Sequence, residues 1–347
     1  MKTKTAILLL VALTTTATNA FATQKKALKT DKNTEARIET GMRTINEDAA
    51  RAHVYFLADD LLEGRRAGER GSRIAKRYIE SQIREAGLKP LLGDSYEQPF
   101  EACGAQKLKR GSRFYVNADS IAKIKKGVYQ SLSLSNVLAV LPGQKSDEYV
   151  VVGAHLDHEG QYADVYGDGI YNGADDNASG VSAVLQIMKA FVASGEQPKR
   201  TVIFAFWDGE EQGLLGSEYF ADHFDGMAKV KCYLNFDMVG SGTDSKYLMY
   251  FFTAAHPKLG EWLKGDINKY KFSTFEPDYR AWDNPVGGSD QQSFHLKGVP
   301  IVWYHTGGQP HYNQPTDEAS TLNYPKLTDI TRAAYLTTWH MANEAIY

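Results

Sequence analysis

Carboxylate and imidazole side chains, the groups that bind metal ions and transfer protons, occur in five places along the chain. The residues are His155, Asp157, Asp175, Asp176, Glu210, Glu211, Asp237 and His311. Imidazole nitrogen and carboxylate oxygen together suit zinc, and a shared carboxylate can hold two ions about 3.5–4 Å apart, as in two-metal hydrolases. Their long and irregular spacing excludes a zinc finger. The pattern therefore predicts a site for two metal ions.

The adjacent Glu210 and Glu211 indicate a division of roles within that site. One carboxylate must bind metal, while its neighbour must remain free to take a proton from the attacking water and return it. We assign Glu211 as the ligand and Glu210 as the general base. By itself the pair is equally typical of an acidic turn that opens a helix, so the assignment depends on the other clusters.

Strands and helices alternate in the part of the chain that must position these residues. Apolar runs predict strands at residues 135–143, 148–156, 201–207, 230–240 and 298–305, and helices are predicted at 46–62, 72–86, 179–194, 213–224, 256–270 and 324–345. Apolar strands between helices are typical of an α/β fold with a mainly parallel, mixed sheet covered on both faces. Because the carboxyl ends of parallel strands meet at one edge, we expect the acidic clusters to converge there.

The ends of the chain differ in character from its middle. Residues 1–22 have the basic start, short apolar core and small-residue end of a signal peptide, so we expect export to the periplasm or the medium without a membrane anchor. Residues 23–45 are expected to form a flexible lead. Residues 46–347 then form a single domain, in which residues 46–103 make a helical N-terminal cap.

The amino-acid composition limits the classes of molecule that could bind this protein. The net charge is −3, from 39 basic and 42 acidic residues that are interspersed, which argues against nucleic acid or an anionic membrane as a partner. The cysteines, Cys103 and Cys232, could form one disulfide, but we favour two unpaired thiols. Nothing in the sequence indicates an oligomeric state.

Six strings, taken in order, resemble the co-catalytic zinc aminopeptidases, a family that also includes glutamate carboxypeptidase-like enzymes and, more distantly, glutaminyl cyclases. They are GAHLDH, NGADDNASG, WDGEEQGLLGS, NFDMVG, GGSDQQSF and PHYNQPTDE. Each string is weakly specific, whereas the ordered set is highly specific. The resemblance runs from about Ala52 to near the C-terminus and implies the phosphorylase/hydrolase-like fold of those enzymes.

The resemblance also implies a role for each site residue. Two zinc ions would be held by His155 and Asp237 at one position, by Glu211 and His311 at the other, and by Asp176 between them. Asp157 would accept the second ring N–H of His155 and fix its tautomer. Glu210 would be the general base, and the Asp176–Asn177 peptide bond is expected to be cis.

The implied activity is that of an exopeptidase acting on peptide substrates. An aminopeptidase would remove N-terminal residues by attack of a metal-bridging hydroxide, with Glu210 as the base. A carboxypeptidase and a single-zinc glutaminyl cyclase-like acyltransferase on the same fold are alternatives. Pro310 stands where several relatives have an oxyanion-stabilising tyrosine, which leaves Tyr304 or Tyr312 for that role.

Two further histidines lie near the predicted ligands. We interpret His158 as a residue of the pocket rim, because the five-ligand set is already complete. His305 ends the last strand and either lines the pocket or packs beside it. Asp175 is expected to be a hydrogen-bond acceptor that fixes its loop.

Overall fold

The structure, a computed structural model, describes residues 32–105, 113–163, 167–242 and 245–346. The predicted signal peptide, residues 1–22, lies outside the described residues, as does the first part of the predicted lead. No helix in the described part of the chain is long and apolar enough to cross a membrane.

A ten-stranded mixed sheet forms the centre of the molecule. The strands are β1 (Lys89–Pro90), β2 (Glu97–Ala105), β3 (Phe114–Tyr115), β4 (Tyr129–Leu141), β5 (Lys145–His155), β8 (Arg200–Trp207), β9 (Val230–Phe236), β10 (Tyr247–Thr253), β11 (Glu276–Trp282) and β12 (Ile301–His305), with β6 (Gly160–Gln161) and β7 (Ile170–Tyr171) forming a separate ribbon. The order across the sheet is β11-β10-β12-β9-β5-β8-β4-β2-β3, and β1 pairs with β4. Strands β12, β9, β5 and β8 are mutually parallel, whereas β4 and β10 join them antiparallel on either side.

Helices cover both faces of the sheet. They are α1 (residues 32–42), α2 (Glu47–Leu57), α3 (Arg70–Glu85), α4 (Ala118–Ile124), α5 (Gly180–Ser194), α6 (Leu215–His223), α7 (Lys258–Tyr270), α8 (Gln291–His295) and α9 (Tyr324–Asn343). Shorter turns occupy Asp60–Arg65, Ala174–Ser179, Met227–Lys229 and Ala319–Thr321. The predicted fold class, a mainly parallel mixed sheet between helices with helices at its N-terminal end, is confirmed.

Strand β8 shows why the central strands are largely apolar on both of their faces. Phe204 and Phe206 pack in the core on the side of α5 and α9, while Ile203 and Trp207 pack on the opposite side with α6 and α8. Successive side chains of a strand point to opposite faces, so a sheet covered on both faces needs apolar residues throughout.

The N-terminal segment differs from the prediction in two respects. Residues 32–42 of the predicted flexible lead are helical, because Ile38 and Met42 lie one turn apart and pack against the main core. Residues 97–105, the end of the predicted helical cap, form strand β2 and extend the sheet. The cap thus consists of α2, α3 and the turn between them.

The two cysteines are both buried and unpaired. Cys103 lies on β2 and Cys232 on β9, which are separated by several strands of the sheet. The favoured interpretation of two free thiols is confirmed.

Candidate metal centre

The acidic clusters meet at one edge of the sheet, where three adjacent parallel strands end. His155 is the last residue of β5, Asp237 follows β9 directly, and Glu210 comes three residues after β8. Asp176 lies in the turn that precedes α5. Because β9, β5 and β8 are neighbours and parallel, the residues that follow their carboxyl ends are brought together.

One group of possible metal ligands consists of His155, Asp176 and Asp237. His155 Nε2 lies 3.3 Å from Asp176 Oδ1 and 3.5 Å from Asp237 Oδ1. Tetrahedral zinc with bonds of about 2.0–2.1 Å holds its ligand atoms about 3.3 Å apart, so this spacing fits a zinc ion.

A second group consists of His158, Asp176 and Glu211. His158 Nδ1 lies 2.7 Å from Glu211 Oε1 and 3.8 Å from Asp176 Oδ2. Asp176 therefore presents one carboxylate oxygen to each group, which is the arrangement that a bridging ligand requires.

The structure does not bring His311 into either group. Its Nδ1 lies 2.9 Å from Thr316 Oγ1, and the residue lines a different, smaller cavity together with Asp175. His158, by contrast, is fully buried beside Glu211, so its interpretation as a rim residue is wrong. The imidazole beside Glu211 thus comes from the segment after β5, not from the loop after β12.

Asp157 fixes the turn that carries the two glutamates. Its Oδ1 accepts a hydrogen bond from the main-chain N–H of Glu210 at 3.1 Å, and its Oδ2 accepts one from that of Glu211 at 3.4 Å. The second ring nitrogen of His155, Nδ1, faces the main-chain oxygen of Asp157 at 3.2 Å, while the carboxylate is 4.0 Å away. The ring is therefore oriented by the backbone of Asp157 rather than by its carboxylate.

The two glutamates have different surroundings. Glu211 pairs with His158, whereas no described residue is hydrogen-bonded to the carboxylate of Glu210. Burial raises the pKa of Glu210 well above its usual range, and the nearby charges of Glu211 and Asp290 add to the rise. A raised pKa suits a group that exchanges a proton near neutral pH.

The donor set fits divalent cations. Burial raises the pKa of Asp157 and of Glu211 to about 7, and it raises the pKa of Asp176 as well. Carboxylates that crowd together out of water favour the neutral form, and a divalent cation between them reverses this preference. With the ligand spacing of His155, Asp176 and Asp237, this crowding makes a metal centre consistent with the residues present.

Two further buried residues, Arg65 and Asp317, support the segments that carry the site. Arg65 is buried and donates hydrogen bonds to the main-chain oxygens of Leu57, Leu156, Asn172 and Gly173, which ties the cap to the loops around the site. Its only sequence signal was its place in the string LLEGRRAGERG, which resembles the cap of relatives.

Asp317 is the second supporting residue. Its carboxylate accepts hydrogen bonds from the main-chain N–H groups of Asp175, at 2.9 Å, and Asp176, at 3.0 Å. It therefore holds the turn that presents Asp176. Asp317 lies in the PHYNQPTDE string, in which the resemblance assigns a role only to His311.

Two smaller expectations about this turn are confirmed. The Asp176–Asn177 peptide bond is cis. Asp175 is a loop-fixing acceptor, because its Oδ1 accepts a hydrogen bond of 2.7 Å from the main-chain N–H of Gly240.

A cavity of about 250 Å³ lies beside the two ligand groups. Apart from the acidic residues and His155, its walls are Met238, Gly288, Trp303, His305, Gly308 and Tyr312. His305 thus lines the pocket, and its Nδ1 lies 2.8 Å from the main-chain oxygen of Asp237.

Of the two tyrosines considered for oxyanion stabilisation, Tyr312 lines this cavity. Tyr304 is buried in the core, where its hydroxyl contacts that of Thr337 at 2.8 Å. Burial and the nearby carboxylates raise the pKa of Tyr312 to about 12, so its hydroxyl keeps its proton at neutral pH.

Among solved structures, three with the same fold illustrate the range of proteins that share it. An aminopeptidase from Aneurinibacillus sp. strain AM-1 superposes with a TM-score of 0.66 at 16% identity, covering 89% of this chain and 97% of that one. BSAP, a zinc aminopeptidase from Bacillus subtilis, gives a TM-score of 0.64 at 15% identity over 86% and 96% of the two chains. A glutaminyl cyclase from Fimbriiglobus ruber gives 0.63 at 17% identity over the same shares, 86% and 96%. At these identities the likeness concerns the fold, which is compatible with either chemistry.

Sequence comparison is more specific. The chain is 31% identical over 174 residues to leupeptin-inactivating enzyme 1 of Streptomyces exfoliatus, covering 50% of this chain and 36% of that protein. It is 31% identical over 187 residues to leucine aminopeptidase 2 of Trichophyton equinum, covering 52% of this chain and 35% of that protein. The chain thus spans about a third of the length of these relatives. The model of Peptidase family M28 matches residues 136–338, which include every residue of both ligand groups, and the chain therefore belongs to Peptidase family M28.

Proposed function

We propose that this protein is a zinc-dependent aminopeptidase that removes N-terminal residues from peptides, with Glu210 as its general base. The proposal depends on two ligand groups that share Asp176. Beside them lies Glu210, whose carboxylate is not hydrogen-bonded to any described residue. Family membership and the names of the relatives support the class of reaction.

In the proposed site, His155, Asp176 and Asp237 would hold one zinc ion, and Asp176 with Glu211 would hold the other. Zinc ions bound there would polarise the substrate carbonyl and lower the pKa of a water. Two ions, rather than one, separate this proposal from a glutaminyl cyclase-like acyltransferase.

Glu210 transfers the proton in the proposed reaction. Its carboxylate accepts a proton from the attacking water and passes it to the amine that leaves when the peptide bond breaks. Asp157 holds the main chain of Glu210 in place during both steps. Tyr312, which stays protonated, donates a hydrogen bond to the oxyanion that develops on the substrate carbonyl.

The charge of the cavity favours a free amino terminus over a free carboxyl terminus. Glu210, Glu211 and Asp237 line it, and no lysine or arginine does so among the described residues. A carboxypeptidase pairs the terminal carboxylate of its substrate with a cationic side chain, and the walls of this cavity offer none among the described residues. The cavity therefore supports an aminopeptidase rather than the carboxypeptidase alternative.

Export is part of the proposal and depends on residues 1–22 alone. N-terminal sequencing of the protein secreted from its own cells should begin at Thr23. A mature protein that still begins at Met1 would contradict export.

A panel of aminoacyl chromogenic substrates, assayed with and without a chelator, tests the activity. We expect cleavage of substrates with a free amino group, loss of activity with the chelator, and recovery on addition of zinc. Cleavage of N-blocked substrates in preference to free ones would overturn the aminopeptidase proposal.

A further inference from the structure

We propose that His158, and not His311, is the nitrogen ligand of the second zinc ion. This inference rests on the proposed function, because it completes the position that Asp176 and Glu211 begin. It concerns which imidazole binds the ion and is independent of the substrate.

The positions of the buried ligand atoms favour His158. His158 Nδ1 lies 2.7 Å from Glu211 Oε1 and 3.8 Å from Asp176 Oδ2, values that bracket the spacing of about 3.3 Å between ligands of tetrahedral zinc. The oxygen of Asp176 that faces His158 is the one not engaged with His155. His158 thus stands on the second-ion side of the bridging carboxylate.

The number of protein ligands at each metal position also favours His158. A catalytic zinc ion has three protein ligands and one position left for water or substrate. With His158, each of the two groups supplies three protein ligands, and Asp176 serves in both. Neither group then needs His311.

The imidazole of His158 is also held rigidly. The side chain is fully buried, and its ring lies directly against Gly173, where an added Cβ atom would overlap the ring. Gly173 also has a φ of +60°, which glycine adopts readily. A metal ligand of fixed orientation loses little entropy on binding.

His311 has none of these properties. Its Nδ1 lies 2.9 Å from Thr316 Oγ1, and the cavity that it lines contains neither Glu211 nor Asp176. No ligand atom of His311 lies close enough to those of Asp176 and Glu211 to form a group with them, whereas Nδ1 of His158 does.

Metal content of the full chain tests the assignment. Wild type, His158→Gln, His311→Gln and His155→Gln are loaded with zinc, freed of excess metal, and analysed by mass spectrometry for zinc per chain. His223→Gln, which alters an exposed histidine outside the site, is the matched control. We expect two ions in wild type, in His311→Gln and in the control, and one in each of the other two variants, with at least about 100-fold weaker binding at the altered position.

Retention of two tightly bound ions by His158→Gln, or loss of one ion by His311→Gln, overturns the inference. In either case a wild type that binds two ions and cleaves aminoacyl substrates leaves the proposed function intact. A wild type that binds no zinc overturns both.

Anomalous diffraction from zinc-loaded crystals of the wild-type protein decides the question if His158→Gln fails to fold. The expected result is a zinc peak about 2.0–2.1 Å from a ring nitrogen of His158. A peak at that distance from His311 instead contradicts the inference.

Discussion

Asp176 is the residue on which both ligand groups depend. Its two oxygens face different imidazoles, and its main-chain N–H is held by Asp317 from the other end of the domain. The position of one carboxylate is thereby set by a second carboxylate that does not itself belong to either ligand group. This explains why a buried acid at position 317 is tolerated next to others.

Glu210→Gln tests the general base. The amide cannot accept a proton, so we expect kcat to fall by about 10²–10⁴-fold while zinc content stays at the wild-type level. Steady-state kinetics and metal analysis measure the two effects separately.

Glu276→Gln, which changes an exposed glutamate on β11, is the control for Glu210→Gln and should leave both quantities unaltered. Wild-type kcat in Glu210→Gln would contradict the role of Glu210 as base.

Asp157→Asn tests the support of the glutamate turn. The amide group offers one acceptor oxygen where the carboxylate offers two, so one main-chain N–H of Glu210 or Glu211 loses its partner. We expect zinc affinity or kcat/KM to fall by about 10–100-fold, because residues that orient ligands have effects of this size. Unaltered kinetics and zinc affinity would show that the turn holds its shape without Asp157.

The sequence allowed most of the site to be predicted, and the exceptions have physical reasons. His155, Asp237 and the glutamate pair follow buried strands, so the strand pattern alone placed them at one edge. Arg65 and Asp317 bind main-chain atoms far away in sequence, and no side-chain pattern records such contacts. The ligand pattern does not distinguish His158 from His311, because that choice depends on the path of the loop after β12, which the sequence does not record.

At the scale of elements, the turn Asp60–Arg65 connects the N-terminal cap to the site. The guanidinium of Arg65 is its anchor, with main-chain oxygens on three separate segments as acceptors. Burial lowers the pKa of Arg65 to about 10, and the nearby carboxylates of Asp176 and Asp317 oppose this shift. The group therefore stays charged at neutral pH.

Arg65→Lys should lower the free energy of unfolding by at least about 2 kcal/mol. An ammonium group cannot reach all four carbonyl oxygens, and each hydrogen bond to a charged group contributes about 1.5–3 kcal/mol. Urea unfolding in the presence of a chelator measures the difference without a contribution from metal binding. Arg73→Lys, at an exposed arginine of α3, should change the free energy by less than about 0.5 kcal/mol; equal effects of the two variants would contradict the anchoring role.

Helices α7 and α9 are joined by a histidine whose charge should make their packing depend on pH. Although burial opposes its charge, hydrogen bonds to Asp266 and Glu344 raise the pKa of His340 to about 9. A folded-state pKa above the unfolded value of 6.5 means that the stabilisation is complete below pH 6.5 and is lost as pH rises through about 9.

His340→Gln should therefore lower the free energy of unfolding at pH 6 by about 1–3 kcal/mol and have a much smaller effect at pH 9.5. Urea unfolding at the two pH values provides the measurement. His223→Gln, in which an exposed histidine of α6 is changed, should show no such dependence. A loss for His340→Gln that is the same at both pH values would contradict the role of its charge.

Buried strands were easier to predict from the sequence than exposed ones. Strands β5, β8, β9 and β12 lie inside the sheet and show as apolar runs. Strand β11 lies at the edge, and the partly exposed side chains of EPDYRAW form no apolar run, so no strand is predicted there. An edge strand has one neighbour and little burial, so its sequence carries a weak signal.

On the scale of the whole molecule, the buried acids couple stability to metal and pH. Burial, with the charges of nearby carboxylates, raises the pKa of Asp157, Glu211 and Asp290 to about 7. Because these values exceed those of the unfolded chain, protonated acids stabilise the metal-free protein at low pH, and this contribution is lost as pH rises from about 4 to about 7. Bound cations would remove that loss.

Removal of zinc should therefore lower Tm more at pH 8 than at pH 5. Thermal unfolding followed by circular dichroism, with and without a chelator at both pH values, measures the effect. The reason is that zinc competes with protons for the same carboxylates, so its stabilising effect grows as protons leave. An equal decrease in Tm at both pH values would contradict this coupling.

The position of β12 has a consequence for the synthesis of the protein. Among the described strands of the sheet this one comes last along the chain, yet it lies between β9 and β10 and connects β10 and β11 to the rest of the sheet. It also carries Trp303 and His305, two walls of the cavity. Contacts between distant parts of a chain form only when both parts exist, so an interrupted chain cannot complete its site. A hydrolase built in this order would be unable to attack the peptides of the cell that makes it until β12 has been translated.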